Sequence, residues 1–259
     1  MGVTTQLNTE IEFLQTELEK KSKEEEILRN RLEEIKKEMN QFTYIVSHDL
    51  QAPLRTITGF LELLNKRYSD KLDASGMQFI DMAVKGATKM KSLVFDLLEY
   101  SRLNNRVEGF DVVDLNEVLN ETKIKYETII EKTGAVIKVN ELPLVLADRT
   151  QMGHMFHHLL GNALKFRGER TPEINITSRK ENNCWIIGVQ DNGMGIEESF
   201  FEKIFIVFRR LNNDEEKYPG TGIGLAICKK IAELHDGKIW LKSEVNKGTA
   251  FYFSLPVKN

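Results

Sequence analysis

His48 and Asp49 stand side by side in Ser47-His48-Asp49-Leu50-Gln51-Ala52-Pro53-Leu54-Arg55. A carboxylate next to an imidazole can orient the ring, accept its N–H and raise the basicity of the other nitrogen. The pair is therefore a candidate nucleophile; by residue type alone it is equally an ordinary surface histidine. Farther on, His158, Asn162 and Lys165 in His158-Leu159-Leu160-Gly161-Asn162-Ala163-Leu164-Lys165-Phe166 are spaced i, i+4 and i+7, so they share one helix face. That face offers a neutral oxygen ligand to a hard cation and a positive charge, as a Mg²⁺-phosphate group requires. It also fits a solvated helix face. Asp191-Asn192-Gly193-Met194-Gly195-Ile196 follows an apolar strand. A carboxylate there can accept an exocyclic amine's N–H, and the glycines allow backbone to approach a ligand closely. The same pattern makes a common turn.

Gly220-Thr221-Gly222-Ile223-Gly224-Leu225 opens a helical stretch and can turn backbone N–H groups and the positive helix end toward phosphate. It lacks Gly-Lys-Ser/Thr, so it is no Walker A loop, and its G-x-G-x-G spacing is not the dinucleotide fingerprint. Phe205-Ile206-Val207-Phe208-Arg209-Arg210-Leu211, followed by polar Asn212 to Lys217, fits a lid over a nucleotide or a helix end with a solvated loop.

Long helices must position the first of these groups. Leu7, Ile11, Leu14, Leu18, Lys21, Glu25, Leu28, Leu32, Ile35, Met39, Phe42 and Val46 are spaced 4,3,4,3 without a slip. This is a coiled-coil seam with two polar interruptions, Lys21 and Glu25, which read as a solvated gap, an ion pair or a deliberately weak stretch. With Leu7 at d, Val46 falls at a and His48 at c, pointing out of the seam. Pro53 interrupts the helical pattern at a cost of ~3 kcal/mol and suggests a hinge or a tolerated kink. After a polar turn at Ser69 to Ser75, Phe79, Ala83, Gly86, Met90, Leu93, Leu97 and Tyr100 repeat the spacing. Two such helices form a hairpin whose seams need a second copy, so a parallel homodimer with a four-helix bundle is expected over residues ~1–103.

The rest alternates. Phe110 to Val113 reads as a strand, Leu115 to Glu131 as a helix, and Val136 to Val139 and Leu144 to Ala147 as strands. Thr150 to Phe166 reads as a helix, and Glu173 to Ser178 and Cys184 to Gln190 as paired strands around Glu181-Asn182-Asn183. Gly222 to Leu234 is a helix, and Lys238 to Ser243 and Thr249 to Leu255 are closing strands. Antiparallel-looking hairpins with helices on one face make an α+β sandwich. Asn104 to Gly109 reads as the linker between the two parts.

Composition narrows the classes. The 36 Lys+Arg against 39 Asp+Glu give a net charge of −3, which speaks against nucleic acid as a partner. No apolar run approaches the ~20 residues that span a bilayer. Cys184 and Cys228 cannot build a disulfide framework or a zinc site, so a reduced cytoplasmic setting is expected.

Taken in order, these segments resemble the sensor histidine kinases of two-component signalling over residues 40 to 256. Ser47 to Leu50 with Pro53-Leu54 is similar to the H box, and His158 to Phe166 to the N box. Asp191 to Gly195 resembles the first glycine box, Phe205 to Phe208 the F box, and Gly220 to Gly224 the second glycine box. The resemblance implies a coiled-coil signalling helix over 1–40, a dimerisation and histidine phosphotransfer (DHp) domain over 41–105, and a Bergerat/GHKL ATP-binding domain over 110–259. It implies autophosphorylation of His48 by ATP with Mg²⁺, then transfer to an aspartate of a response regulator.

Under the resemblance His48 is the phosphoacceptor and Asp49 its general base. Asn162 holds Mg²⁺, Lys165 and Arg210 meet phosphates, and Asp191 reads the adenine amine with Thr249 behind it. Phe166, Gly193, Gly195, Gly220, Thr221, Gly222, Gly224 and Leu225 complete the nucleotide site. His158 stands where the family often has Asn, with coordination or proton relay as open roles. Ala52 stands four residues after His48, where bifunctional members carry Thr or Asn, so weak phosphatase activity toward the regulator is expected. Two rivals stand beside this reading: an ATPase or serine kinase of the same nucleotide fold, and a silent dimeric scaffold. The absence of a sensor segment suggests a piece of a larger protein, cytoplasmic here and with or without a membrane anchor elsewhere.

Overall fold

Heptad spacing in the first hundred residues becomes two packed helices. The computed structural model describes residues 2–103, 109–211 and 218–257, and only the backbone of residues 2–13, 36 and 40. The side chains of Leu7 and Ile11 of the expected seam, most of the expected linker and the 212–217 stretch of the expected lid therefore lie outside what is described. Helix α1 runs unbroken from Gly2 to Tyr68, through Pro53 and across residues 40 and 41. A 3-10 turn at Ser69–Lys71 leads to α2, Ala74–Arg102, whose first turn is capped by Asp73 accepting from the Gly76 N–H at 2.7 Å.

The hairpin closes on a stripe of its own. Ser47, Leu54 and Thr58 of α1 are buried, as are Ala87, Val94, Leu98 and Ser101 of α2. The expected seam is a different stripe. Leu14, Leu18, Leu28, Leu32, Ile35, Met39, Phe42 and Val46 all face outward from the single chain, as do Phe79 and Met90 of α2. Leu97 and Tyr100 depart from expectation: they pack on the core of the second domain rather than on a bundle seam, because the end of α2 abuts that domain.

The second domain is a five-stranded sheet in the order β2-β4-β5-β7-β6, with helices on one face and a separate β1-β3 pair. Its strands are β1 Asp111–Asp114, β2 Val136–Val139, β3 Leu144–Ala147, β4 Glu173–Glu181, β5 Cys184–Asp191, β6 Ile239–Glu244 and β7 Gly248–Pro256. Its helices are α3 Leu115–Lys125, α4 Glu127–Thr133, α5 Arg149–Lys165 and α6 Gly224–Leu234. The sheet is not wholly antiparallel: β2 pairs with β4 in parallel, because β3 and α5 intervene as a crossover. Asn182 and Asn183 take the expected β4-β5 turn with positive φ.

The helix expected from Leu115 to Glu131 is broken at Tyr126, which leaves helical geometry and anchors itself elsewhere. Its hydroxyl donates to the His157 carbonyl at 3.1 Å, and its ring stacks on His157. Between helices and sheet the core is apolar, with Phe156 meeting Phe253 edge-on among Ile174, Ile176 and Ile187.

Candidate active site

The apolar strand β5 ends at Asp191, and the chain must then turn sharply. Asp191 Oδ1 accepts from the Gly193 N–H at 2.8 Å and from the Thr249 N–H of β7 at 3.2 Å. Thr249 Oγ1 is in turn tied to Ser243 Oγ of β6 at 2.9 Å. Among the described residues Oδ2 takes no hydrogen bond, so the carboxylate is held by one oxygen and offers the other. Burial pushes its pKa up to about 6, against the pull of the two N–H groups.

Helix α5 lays one polar face against the same space. Its Asp148 cap, accepting from the Gln151 N–H at 3.0 Å, starts the helix, and Met152, Met155, Leu159 and Ala163 bury the other face. His158, Asn162 and Lys165 are thereby turned together, as their spacing requires. Lys165 lies over the Phe166 ring at 4.3 Å, and Phe166 stacks on Tyr218 at 5.5 Å. Burial brings Lys165 down to about 8, aided by the charge of Arg210 and opposed by Asp96.

These groups line one cavity of about 600 Å³, a size suited to a nucleotide. His158, Asn162, Lys165, Phe166, Asp191, Gly195, Arg210, Gly220, Thr221, Gly222, Gly224, Leu225 and Thr249 all border it. Gly193 lies behind the wall, close against the Phe166 carbonyl. Arg210 donates to the Tyr218 carbonyl at 3.0 Å, which ties the two ends of the expected lid. Lys165 Nζ would stand 2.9 Å from a side chain added at Gly220, so the cation sits beside the glycine loop at the start of α6.

Asn162 borders the cavity with no side-chain hydrogen bond among the described residues. Among these residues no group of three His, Cys, Asp or Glu is placed to hold a metal. A Mg²⁺ here would rest on the Asn162 oxygen, on water and on the phosphates it accompanies, as this hard and reluctantly dehydrated ion usually does.

His48 and Asp49 are elsewhere. Their side chains on α1 are 70% and 73% exposed, and His48 Nδ1 is 3.2 Å from Asp49 Oδ1. Neither borders the cavity.

Sequence reasoning missed the contribution of α2. Ser92 and Asp96 border the cavity from that helix. Asp96 Oδ2 accepts from Thr221 Oγ1 at 2.5 Å. Glu99 is buried, with Oε1 2.8 Å from His154 Nδ1 and 3.3 Å from His158 Nε2. Burial alone would raise the pKa of Glu99; the two histidines outweigh it and hold it at about 2. His158, open to two roles by sequence, thus ties the N-box helix to the hairpin. The only signal in the sequence was the i, i+3 spacing of Asp96 and Glu99, which reads as a solvated helix face.

The "His Kinase A (phospho-acceptor) domain" matches residues 38–106, and the "Histidine kinase-, DNA gyrase B-, and HSP90-like ATPase" matches residues 147–259. The phytochrome-like protein Cph1 of Synechocystis sp. is 42% identical over 232 residues, 90% of this chain and 31% of that protein. The chain spans 29% and 30% of the cyanobacterial phytochromes A and B of Nostoc sp., so it matches a minor part of its curated relatives. Among solved structures, full-length ShkA in complex with AMPPNP matches 83% of this chain and 45% of its own, at 25% identity and a TM-score of 0.66. Histidine kinase ThkA in complex with the response regulator protein TrrA matches 86% of this chain and 64% of its own, at 26% identity and a TM-score of 0.59.

Proposed function

Because the chain belongs to the sensor histidine kinases of two-component systems and carries their phosphoacceptor and ATPase domains in order, we propose that it autophosphorylates His48 from ATP and passes the phosphoryl group to an aspartate of a response regulator. The observation that carries this reading is the cavity itself. It brings together a buried, oriented carboxylate, two cations and the glycine loop. Asp191 accepts the adenine amine through Oδ2, while Lys165, Arg210 and the Gly220–Gly224 loop take the phosphates. Asn162 would hold Mg²⁺, which when bound neutralises phosphate charge.

His48 supplies the nucleophile. With Nδ1 facing Asp49, Nε2 is the nitrogen left to attack. Its lone pair forms the N–P bond as the bond from the γ-phosphorus to the bridging oxygen of ADP breaks. ADP leaves, and the ring proton on Nδ1 passes to Asp49, so the ring does not keep the positive charge that attack through Nε2 places on it. Catalysis then lies in placement and charge neutralisation. The outward apolar faces of α1 and α2 are the surfaces on which a second copy completes a four-helix bundle. A response regulator as the acceptor is supported by the ThkA complex with TrrA.

The test is labelling with γ-radiolabelled ATP. Acid-labile, base-stable label is expected on the unaltered protein and lost in both His48→Ala and Asn162→Ala, with nucleotide binding kept in His48→Ala. Equal labelling of His48→Ala would overturn the assignment of His48. Acid-stable label would favour a serine kinase instead.

A further inference from the structure

The carboxylate of Asp96 occupies a place where an anion belongs. The Gly220–Gly224 loop leads into the N-terminus of α6, where free N–H groups and the helix dipole favour negative charge. Thr221 Oγ1 accepts from the Ile223 N–H at 3.2 Å and donates to Asp96 Oδ2 at 2.5 Å, so the hydroxyl relays the polarity of that helix end to the carboxylate. Burial raises the pKa of Asp96 and neighbouring Glu99 adds to the rise, while the Thr221 hydroxyl, His158 and Lys165 oppose it. Asp96 borders the same cavity as Lys165, Thr221 and the three loop glycines. Around it the α2 segment is seated on the catalytic domain: Leu97 and Tyr100 pack on the core, Leu103 is buried within it, and Glu99 meets His154 and His158.

We propose that Asp96 is an internal substitute for nucleotide phosphate, latching α2 over the glycine loop so that an incoming triphosphate must displace it before the catalytic domain can leave the hairpin and reach His48. The proposal rests on the assignment of the cavity to ATP and adds its regulation. The latch is chemically suited to exchange. A carboxylate and a phosphate compete for the Thr221 hydroxyl beside the same helix end, and both cannot stay without placing like charges together. Glu99 acts differently: it does not border the cavity, and it sets how firmly α2 is seated. The closed arrangement also accounts for His48 standing outside the cavity.

Binding of a non-hydrolysable ATP analogue with Mg²⁺, measured by calorimetry in a His48→Ala background, separates the latch from phosphoryl transfer. Adding Asp96→Asn keeps the shape and removes the charge, and affinity is expected to tighten about three- to tenfold. Glu99→Gln is expected to move affinity the same way, to a smaller extent. Amide exchange in residues 88–103 is expected to rise when the analogue is added to the His48→Ala protein and to be raised beforehand in the Asp96→Asn variant. Unchanged affinity in Asp96→Asn overturns the latch. Weaker affinity also overturns it, by showing that the carboxylate helps hold nucleotide or its metal. Binding by neither protein would overturn the ATP assignment together with the latch, whereas intact but untightened binding overturns the latch alone.

Discussion

His158 Nε2 on α5 lies 3.3 Å from Glu99 Oε1 on α2, a contact between residues 59 positions apart that joins the nucleotide-binding helix to the phosphotransfer hairpin. Glu99→Gln is expected to lower stability by about 1–3 kcal/mol, since a buried charge-assisted contact is weakened and little water can replace it. Its folded-state pKa of about 2 lies below the ordinary value of 4.5. The stabilisation is therefore full above about 4.5 and is lost as pH falls toward 2. Thermal unfolding of both proteins between pH 6 and pH 2.5 checks this, and a gap that widens on acidification would contradict it.

Nucleotide affinity is expected to be greatest between about pH 6 and about pH 8. Asp191 is pushed up to about 6, so the carboxylate proposed to accept the adenine amine is lost as pH falls through that value. Lys165 is brought down to about 8, so its charge is lost as pH rises through that value. Phosphate arriving beside Lys165 raises its pKa again, and binding near pH 8 should take up a proton. Calorimetry in buffers of different ionisation enthalpy reads this uptake directly. Asp191→Asn should flatten the acid side of the profile while lowering affinity throughout.

Gly222 holds φ at +77°, and a side chain there would stand 3.0 Å from the Phe208 carbonyl carbon. Gly222→Ala is therefore expected to displace the loop that carries Thr221 and to weaken nucleotide binding by about tenfold or more. Stability of the β-sheet core, followed by denaturant unfolding, should change far less than affinity. Equal losses in both would point to a structural role for the loop.

Ala52 is exposed on α1, one helical turn beyond His48. A methyl group cannot orient a hydrolytic water. Ala52→Thr is expected to raise kinase-stimulated loss of acyl phosphate from a cognate response regulator several-fold, while His48 labelling continues. Rapid loss already present with the unaltered protein would show that Ala52 does not limit this step.

Much of the candidate site was readable because it depends on local geometry. The i, i+4, i+7 spacing puts His158, Asn162 and Lys165 on one face of any α-helix, and a carboxylate ending an apolar strand before two glycines must turn at the strand's edge. Register likewise put His48 on the outside of the coiled coil. The break at Tyr126 was not readable, because the partner that draws it away, His157, lies 31 residues on. The parallel β2-β4 pair was hidden for a related reason: strand direction depends on the path of the intervening chain.

The sequence by itself determined the helical hairpin, the mixed second domain, the exposed histidine and the residues that α5, the end of β5 and the glycine loop bring to the cavity. All of these follow from short-range periodicity and from the conformational limits of single residue types. Only the tertiary structure decided that Asp96 and Glu99 leave solvent for the catalytic domain, and that Leu97 and Tyr100 turn from a bundle seam to a domain interface. Their spacing on α2 fits either environment. The choice depends on which surface lies opposite, a property of the docked domains that no window along the chain contains.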